Sequence, residues 1–420
     1  MSTHSHSGPR PLPERPNLRH LKDQAKDLLT AGTASSLADA QFQIARLYGF
    51  ASWPKLKQHV ESGEEIEQLR TAIGENDFAK VRELMTRNPG LHHAPLGYAN
   101  DGPLTMVAEW QFNRGWRDAF GREKATRLAM ANWLIDNGSD VHQGNDGPLM
   151  RAALFGDRIP MMELLLARGA NINAEWHGEY PILFAACETV DPAALAWLLD
   201  HGANPNCADP RRKYPGTALD YVIGSYVRSP ELGRCISLLR AAGGATKYSP
   251  PAVLEILSGR VDGLRDQLKA DPSTPSGAAL VRQQFPELDF GTTGGRMLTL
   301  QGGTLLHVAA EYRNLDAVQL LLDHGADVNA PAAPRDGTGG QTPLFHAVTQ
   351  NQDGGLAVVK LLVERGADLA VRARVPGHYE RPGEVLECTP LGYALQFENE
   401  PNRGDKTRTV AFLRELHAAE

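Results

Sequence analysis

The stretch Thr304-Leu305-Leu306-His307-Val308-Ala309-Ala310, with Val318-Gln319-Leu320-Leu321-Leu322-Asp323-His324-Gly325-Ala326-Asp327-Val328-Asn329 close behind it, reads as two short helices and a stop. Its Leu, Ala and Val positions follow helical spacing. Gly325 supplies a residue that accepts φ > 0 where the second helix must end. Outward from this stretch the pattern returns. Openings of the same kind stand at Gly102-Pro103-Leu104, Gly147-Pro148-Leu149, Tyr180-Pro181-Ile182, Gly216-Thr217-Ala218-Leu219, Thr342-Pro343-Leu344 and Thr389-Pro390-Leu391. Pro at these openings falls where a helix lacks an N–H partner anyway. The closing glycines Gly138, Gly169 and Gly202 are 31 and 33 residues apart, the period of a helix–loop–helix unit with a hairpin turn. Gly202 to Gly243 and Gly325 to Gly366 each stretch to 41, so the extra residues belong in loops.

One such unit holds too few apolar residues for a core of its own. Its two apolar faces are buried only by the units before and after it. The pairs Ala152-Ala153, Ala185-Ala186 and Ala309-Ala310 let the first helices approach closely. The quoted stretch closely resembles the ankyrin consensus, and the resemblance covers roughly residues 64–420. It implies an all-α ankyrin-repeat solenoid of about nine helix–loop–helix units, seven recognisable and two degenerate, with short hairpin loops. The degenerate units, Ala72-Ile73 through Asn88-Pro89 and Glu255-Ile256 through Asp271-Pro272, are offset by 183 residues. They suggest a first array at 64–246 and a second at 250–420, with Ser249-Pro250-Pro251 as punctuation. The resemblance also implies that His307 forms a structural hydrogen-bond network with Thr304. His346 falls one position later in its own repeat, which leaves its role open.

Residues 1–16, rich in Ser, His and Pro, read as a disordered leader, and 17–62 as an N-terminal helical cap. Leu18, Leu21, Ala25, Leu28 and Leu29 share one helical face. Ser36 is placed to cap a second helix carrying Leu37, Ala40, Ile44 and Leu47, and Ser52 to start a third with Trp53, Leu56 and Val60. Ser52-Trp53-Pro54-Lys55 matches the Ser-x-x-Lys of a serine nucleophile in form alone; a cap followed by an early Pro explains it. Three helices here would cover the apolar end of the repeats.

The chain of 420 residues has a formal net charge of −7, which argues against nonspecific nucleic-acid binding. Cys187, Cys207, Cys235 and Cys388 lack zinc-site spacing and suggest no disulfide framework, so a reducing, cytoplasmic setting is expected. No signal peptide or membrane span is expected. Phosphate-cradling, dinucleotide, zinc-protease and nucleophile-elbow motifs are absent from the sequence, so no catalytic residue, metal ligand or cofactor is assigned.

Residues that the repeat does not need point to function. Trp176 and Tyr180, Arg211, Arg212 and Tyr214, Arg335, and His378 and Tyr379 fall between repeats, and Phe285 and Phe290 in an insertion. Aromatics and arginines are enriched at interface hot spots. The expected function is non-enzymatic binding of a protein or peptide on the hairpin and inner-helix surface. The alternative is a small-molecule or enzymatic pocket between the two arrays and the long loops. Two insertions stand out. Trp110, Phe112, Trp116 and Phe120, interleaved with Arg114, Arg117 and Arg122, read as a loop with a private core. Arg282 to Gly303 is long for a connection, with Met297 to Leu300 as a candidate strand.

Overall fold

The computed structural model describes residues 10–13, 16–109, 117–207, 216–224, 229–269, 277–289, 298–377, 381, 383–397 and 406–416. Two compact units are found: residues 1–152 with 163–170, and residues 153–162 with 171–420. Described helices dominate both, and the described strands form two-stranded ribbons only.

The first unit opens with α1 (Leu18–Thr30), α2 (Leu37–Leu47) and α3 (Trp53–Gly74). Ser36 caps α2 as its position suggests, accepting from the Asp39 N–H at 3.1 Å. Ser52 has extended N-cap geometry but no side-chain capping bond, so entry into α3 rests on Pro54 in its first turn. Leu18, Leu21, Ala25, Ala40, Ile44, Leu56 and Val60 close a core of their own. Leu29 and Leu47, expected on the inner faces, are 39% and 44% exposed because they sit at helix ends, beyond the reach of that core. α3 then runs unbroken through residues 62–64. Its far half, with Leu69, Ala72 and Ile73 buried, packs on α4 (Phe78–Arg87) and α5 (Pro103–Ala108). One helix thus serves the cap and the first repeat.

α6 (Arg117–Asp136) and α7 (Gly147–Ala152) follow. Trp110, Phe112, Arg114 and Trp116 lie outside the described residues. The rest of that insertion is helical backbone rather than loop, because Arg117 to Gly121 extend the N-terminus of α6.

α8 (Ile159–Ala167) precedes a short ribbon of β1 (Glu175–Trp176) and β2 (Tyr180–Pro181). Helix pairs then repeat: α9 (Leu183–Thr189) with α10 (Pro192–Asp200), α11 (Ala218–Gly224) with α12 (Leu232–Ala241), and α13 (Pro251–Leu257) with α14 (Val261–Leu268). After α15 (Gly277–Leu280) come α16 (Leu305–Glu311) with α17 (Leu315–Asp323), and α18 (Pro343–Val348) with α19 (Leu356–Glu364). A ribbon of β3 (Ala373–Pro376) and β4 (Val385–Cys388) leads to α20 (Pro390–Leu395) and α21 (Thr407–Glu415). First helices pack side by side, α9 on α11, α13 on α16, α16 on α18 and α18 on α20. The helices flanking Ser249-Pro250 also touch, for Arg240 of α12 donates to the Leu254 carbonyl at 3.2 Å and to Glu255 at 3.0 Å. The expected strand at Met297 to Leu300 is not seen over its described part. Leu298 and Leu300 are buried, and the antiparallel bridge falls instead at Phe285 and Gly303.

Two devices hold neighbours in register. The first is an asparagine ladder at the hairpins. Asn173 donates to the Gly202 carbonyl at 3.0 Å and accepts from the Asn204 N–H at 2.7 Å. Asn206 does the same to Gly243 and Ala245, and Asn329 to Gly366 and Asp368. Gly202, Gly243 and Gly366 have φ of +89°, +83° and +89°, which leaves each carbonyl free to be claimed by the repeat before.

The second device is the Thr-x-x-His box. His307 Nδ1 accepts from the Thr304 N–H at 3.0 Å, and its Nε2–H donates to the Gln341 carbonyl of the next repeat at 3.0 Å. Asp220 plays this part for Thr217: the two bond reciprocally at 3.2 and 3.3 Å, and Asp220 accepts from Lys247 N–H at 3.0 Å. At Thr342 the box fails. Phe345 holds the third place after the threonine and packs into a cluster with Leu298, Ala373, Val375 and Tyr393. The Thr342 hydroxyl is buried with no partner. His346, one place on, is buried and faces Glu311 of the preceding repeat, Nδ1 to Oε2 at 3.1 Å.

Candidate partner-binding surface

Only part of the expected surface can be placed. Arg211, Arg212, Tyr214, Phe290, His378 and Tyr379 lie outside the described residues. Trp176 and Tyr180 face each other across the β1–β2 ribbon, in register, with ring centroids 6.3 Å apart and edge to face. The turn between them puts His177 at φ +51° and Gly178 at +73°, and the exposed His177 ring meets Trp176 at 4.6 Å.

The aromatic row continues down into the helices. Tyr180 meets Phe184 at 6.1 Å, and Phe184 stacks on Tyr221 at 5.2 Å with 10° between planes. Phe184 and Tyr221 both stand four places after the residue that opens their repeat, Tyr180 and Thr217. Equal positions on adjacent first helices fall side by side, so the repeat itself generates the stack. The Tyr180 hydroxyl donates to Glu188 at 2.8 Å. Burial, and then the Glu188 carboxylate beside it, hold that phenol well above its ordinary pKa, so it is a neutral donor. Trp176 and Tyr180 are half-buried and Glu188 is exposed, which leaves apolar ring area next to a negative charge at the surface.

Arg335 lies in a separate place, on a turn that pairs with Thr338 and is joined through Gly339 to Arg374 of β3. Its guanidinium reaches Asp336 at 3.1 Å. Phe285 departs from expectation. It is 1% exposed, its N–H bonded to the Gly303 carbonyl at 3.0 Å, so the ring packs the interior and offers nothing to a partner. A groove of about 620 Å³ does occur in the second unit, but between α14 and α17, lined by Arg260, Asp262, Arg265, Asp316 and Asp323. None of the expected site residues lines it.

Sequence reading passed over Glu188, Phe184, Tyr221 and Arg374. For the two rings the signal was available, since aligning the repeats by their opening residue puts them in one column. For Glu188 it was not, because it matters through the bond to Tyr180 that the ribbon brings within reach, and Arg374 stands out only against the ion pairs around it.

Comparison with known proteins agrees with the repeat. A family model for ankyrin repeats (3 copies) matches residues 123–209 and 278–373. An ankyrin repeat protein, L371, of Acanthamoeba polyphaga mimivirus is 35% identical over 88 residues. That match covers 21% of this chain and only 10% of the viral protein. The crystal structure of the human ASB11 ankyrin repeat domain is 23% identical, covering 64% of this chain and 97% of that one at a TM-score of 0.31. Among the described residues, no helix is long and apolar enough to cross a membrane.

Proposed function

This chain is an ankyrin-repeat protein, and from that we propose that it is a non-enzymatic binding module that holds a protein partner on its hairpin tips and first helices. The observation that carries the reading is the aromatic row Trp176, Tyr180, Phe184 and Tyr221. It rises from the helices to a half-exposed tip, where large rigid rings present contact area at little entropic cost. Hot spots favour such rings. The helices beneath are held by the asparagine ladder and by the Thr217–Asp220 pair, so the surface is preorganised and less ordering free energy is spent on binding. Four free cysteines support work in a reducing, cytoplasm-like compartment.

The test compares proteins captured from native lysate by the wild type and by a Trp176→Ala, Tyr180→Ala double variant of equal helicity. Species retained by the wild type should be lost from the variant. An unchanged set of captured proteins removes the assignment.

A further inference from the structure

Arg374 sits mid-strand in β3 with its backbone fixed on both sides. Gly339 donates to its carbonyl at 2.8 Å and accepts from its N–H at 3.1 Å, while Glu387 is its partner in register across β4. The neighbours Ala373 and Val375 are buried in the cluster with Phe345 and Tyr393, so strand alternation turns Arg374 outward, where it is exposed. The natural counter-charge for it is Glu387, directly opposite. That residue is engaged by Arg372, which donates to its carbonyl at 2.7 Å and approaches its carboxylate at 3.7 Å. Asp336 is held by Arg335 and Glu384 by Arg381, both at 3.1 Å. Each described carboxylate of this tip therefore already has an arginine. Among the described residues none pairs with Arg374.

We propose that the tip formed by the Arg335 turn and the β3–β4 ribbon recognises an acidic segment of the protein partner, with Arg374 as its anchor. The inference rests on the chain being a protein-binding module and adds the chemistry of what it binds there. A guanidinium takes a carboxylate in bidentate geometry, its planar fork of donors already arranged for it. The pairs of Arg335 and Arg381 lie at the surface, where ion pairs are weak, so they can exchange their carboxylates for those of a partner at small cost. The chain as a whole carries a net charge of −7. An acidic segment is favoured at this tip, where an exposed arginine stands with no counter-charge among the described residues.

The probe is a fluorescein-labelled peptide of alternating Glu and Ala, titrated against the full chain at low salt and read by anisotropy, beside a Lys/Ala peptide of equal length. The Glu peptide should bind, weaken as salt rises, and lose about tenfold or more in affinity to Arg374→Glu, with further loss when Arg335→Glu is added. Arg374→Lys should retain part of it. Circular dichroism confirms that each variant is folded. No binding by the wild type, equal binding of the Lys peptide, or affinity unchanged in Arg374→Glu overturns the proposal. Tighter binding of a single-stranded RNA than of the Glu peptide, abolished by Arg374→Glu, also overturns it. The Trp176 and Tyr180 capture experiment stands apart from all of these, so the module reading can survive when this one fails.

Discussion

Acidification should unzip the chain at His307. Its Nδ1 accepts the Thr304 N–H and its Nε2–H is committed to the Gln341 carbonyl, both at 3.0 Å, inside a site with no exposure. A second proton would have to sit on Nδ1, pointing at another N–H. Burial first, and then the His346 ring nearby, push the folded-state pKa from 6.5 down to about 3. Since the folded value is the lower one, the unfolded chain takes up the proton first as pH falls. Above pH 6.5 the group costs nothing, and below it the native state loses about 1.4 kcal/mol per pH unit until the folded pKa is reached. Between about pH 6.5 and about pH 4.5 that amounts to roughly 2–3 kcal/mol. The assay is urea unfolding followed by far-UV circular dichroism across this range, on the wild type and on His307→Gln. The variant is less stable at neutral pH because a buried network is broken, but its stability should depend less on pH by that amount. Parallel pH profiles for the two proteins would refute the reasoning.

Two further perturbations test the interior. Leu321→Ala removes a side chain with 0% exposure from α17 and should cost about 2–5 kcal/mol, seen as a lower urea midpoint; a loss well under 1 kcal/mol contradicts its place in the core. Asn206→Ala deletes the donor to Gly243 at 3.1 Å and the acceptor from Ala245 at 2.7 Å, for about 1–2 kcal/mol, and should speed hydrogen exchange at the Ala245 amide while α9 is unaffected.

How far the chain could be read without its structure depended on the range of each interaction. Helix ends are local, and Gly169, Gly202 and Gly325 take φ of +98°, +89° and +81° as their positions after Leu-Leu-x-x require. The cap on α2 was equally plain. The asparagine ladder was not, because the chain between Asn329 and Gly366 spans 37 residues and only the repeat fold closes it. The apparent shift of His346 against its repeat resolves into a substitution. Phe345 keeps the column of His307 while changing its chemistry, because the cluster around Tyr393 calls for an apolar ring there. The cap was expected to end at residue 62 and the repeats to begin at 64, yet one helix runs through both, and packing on its two flanks overrides the weak propensity of Gly63. Of the candidate surface, single residues such as Trp176 and Tyr180 could be named, while the odd arginine of β3 emerges only when every local charge has been matched.

The unbroken α3 makes a shaft of the N-terminal region. Leu56 and Val60 grip one core and Leu69, Ala72 and Ile73 another, so the azimuth between them is indexed by the number of residues in between. Adding a single residue near Gly63 would rotate one end against the other by about 100° and lengthen the shaft by about 1.5 Å, leaving each grip internally intact. Evolution or design could therefore re-aim the leading helices in discrete clicks, without repacking either end.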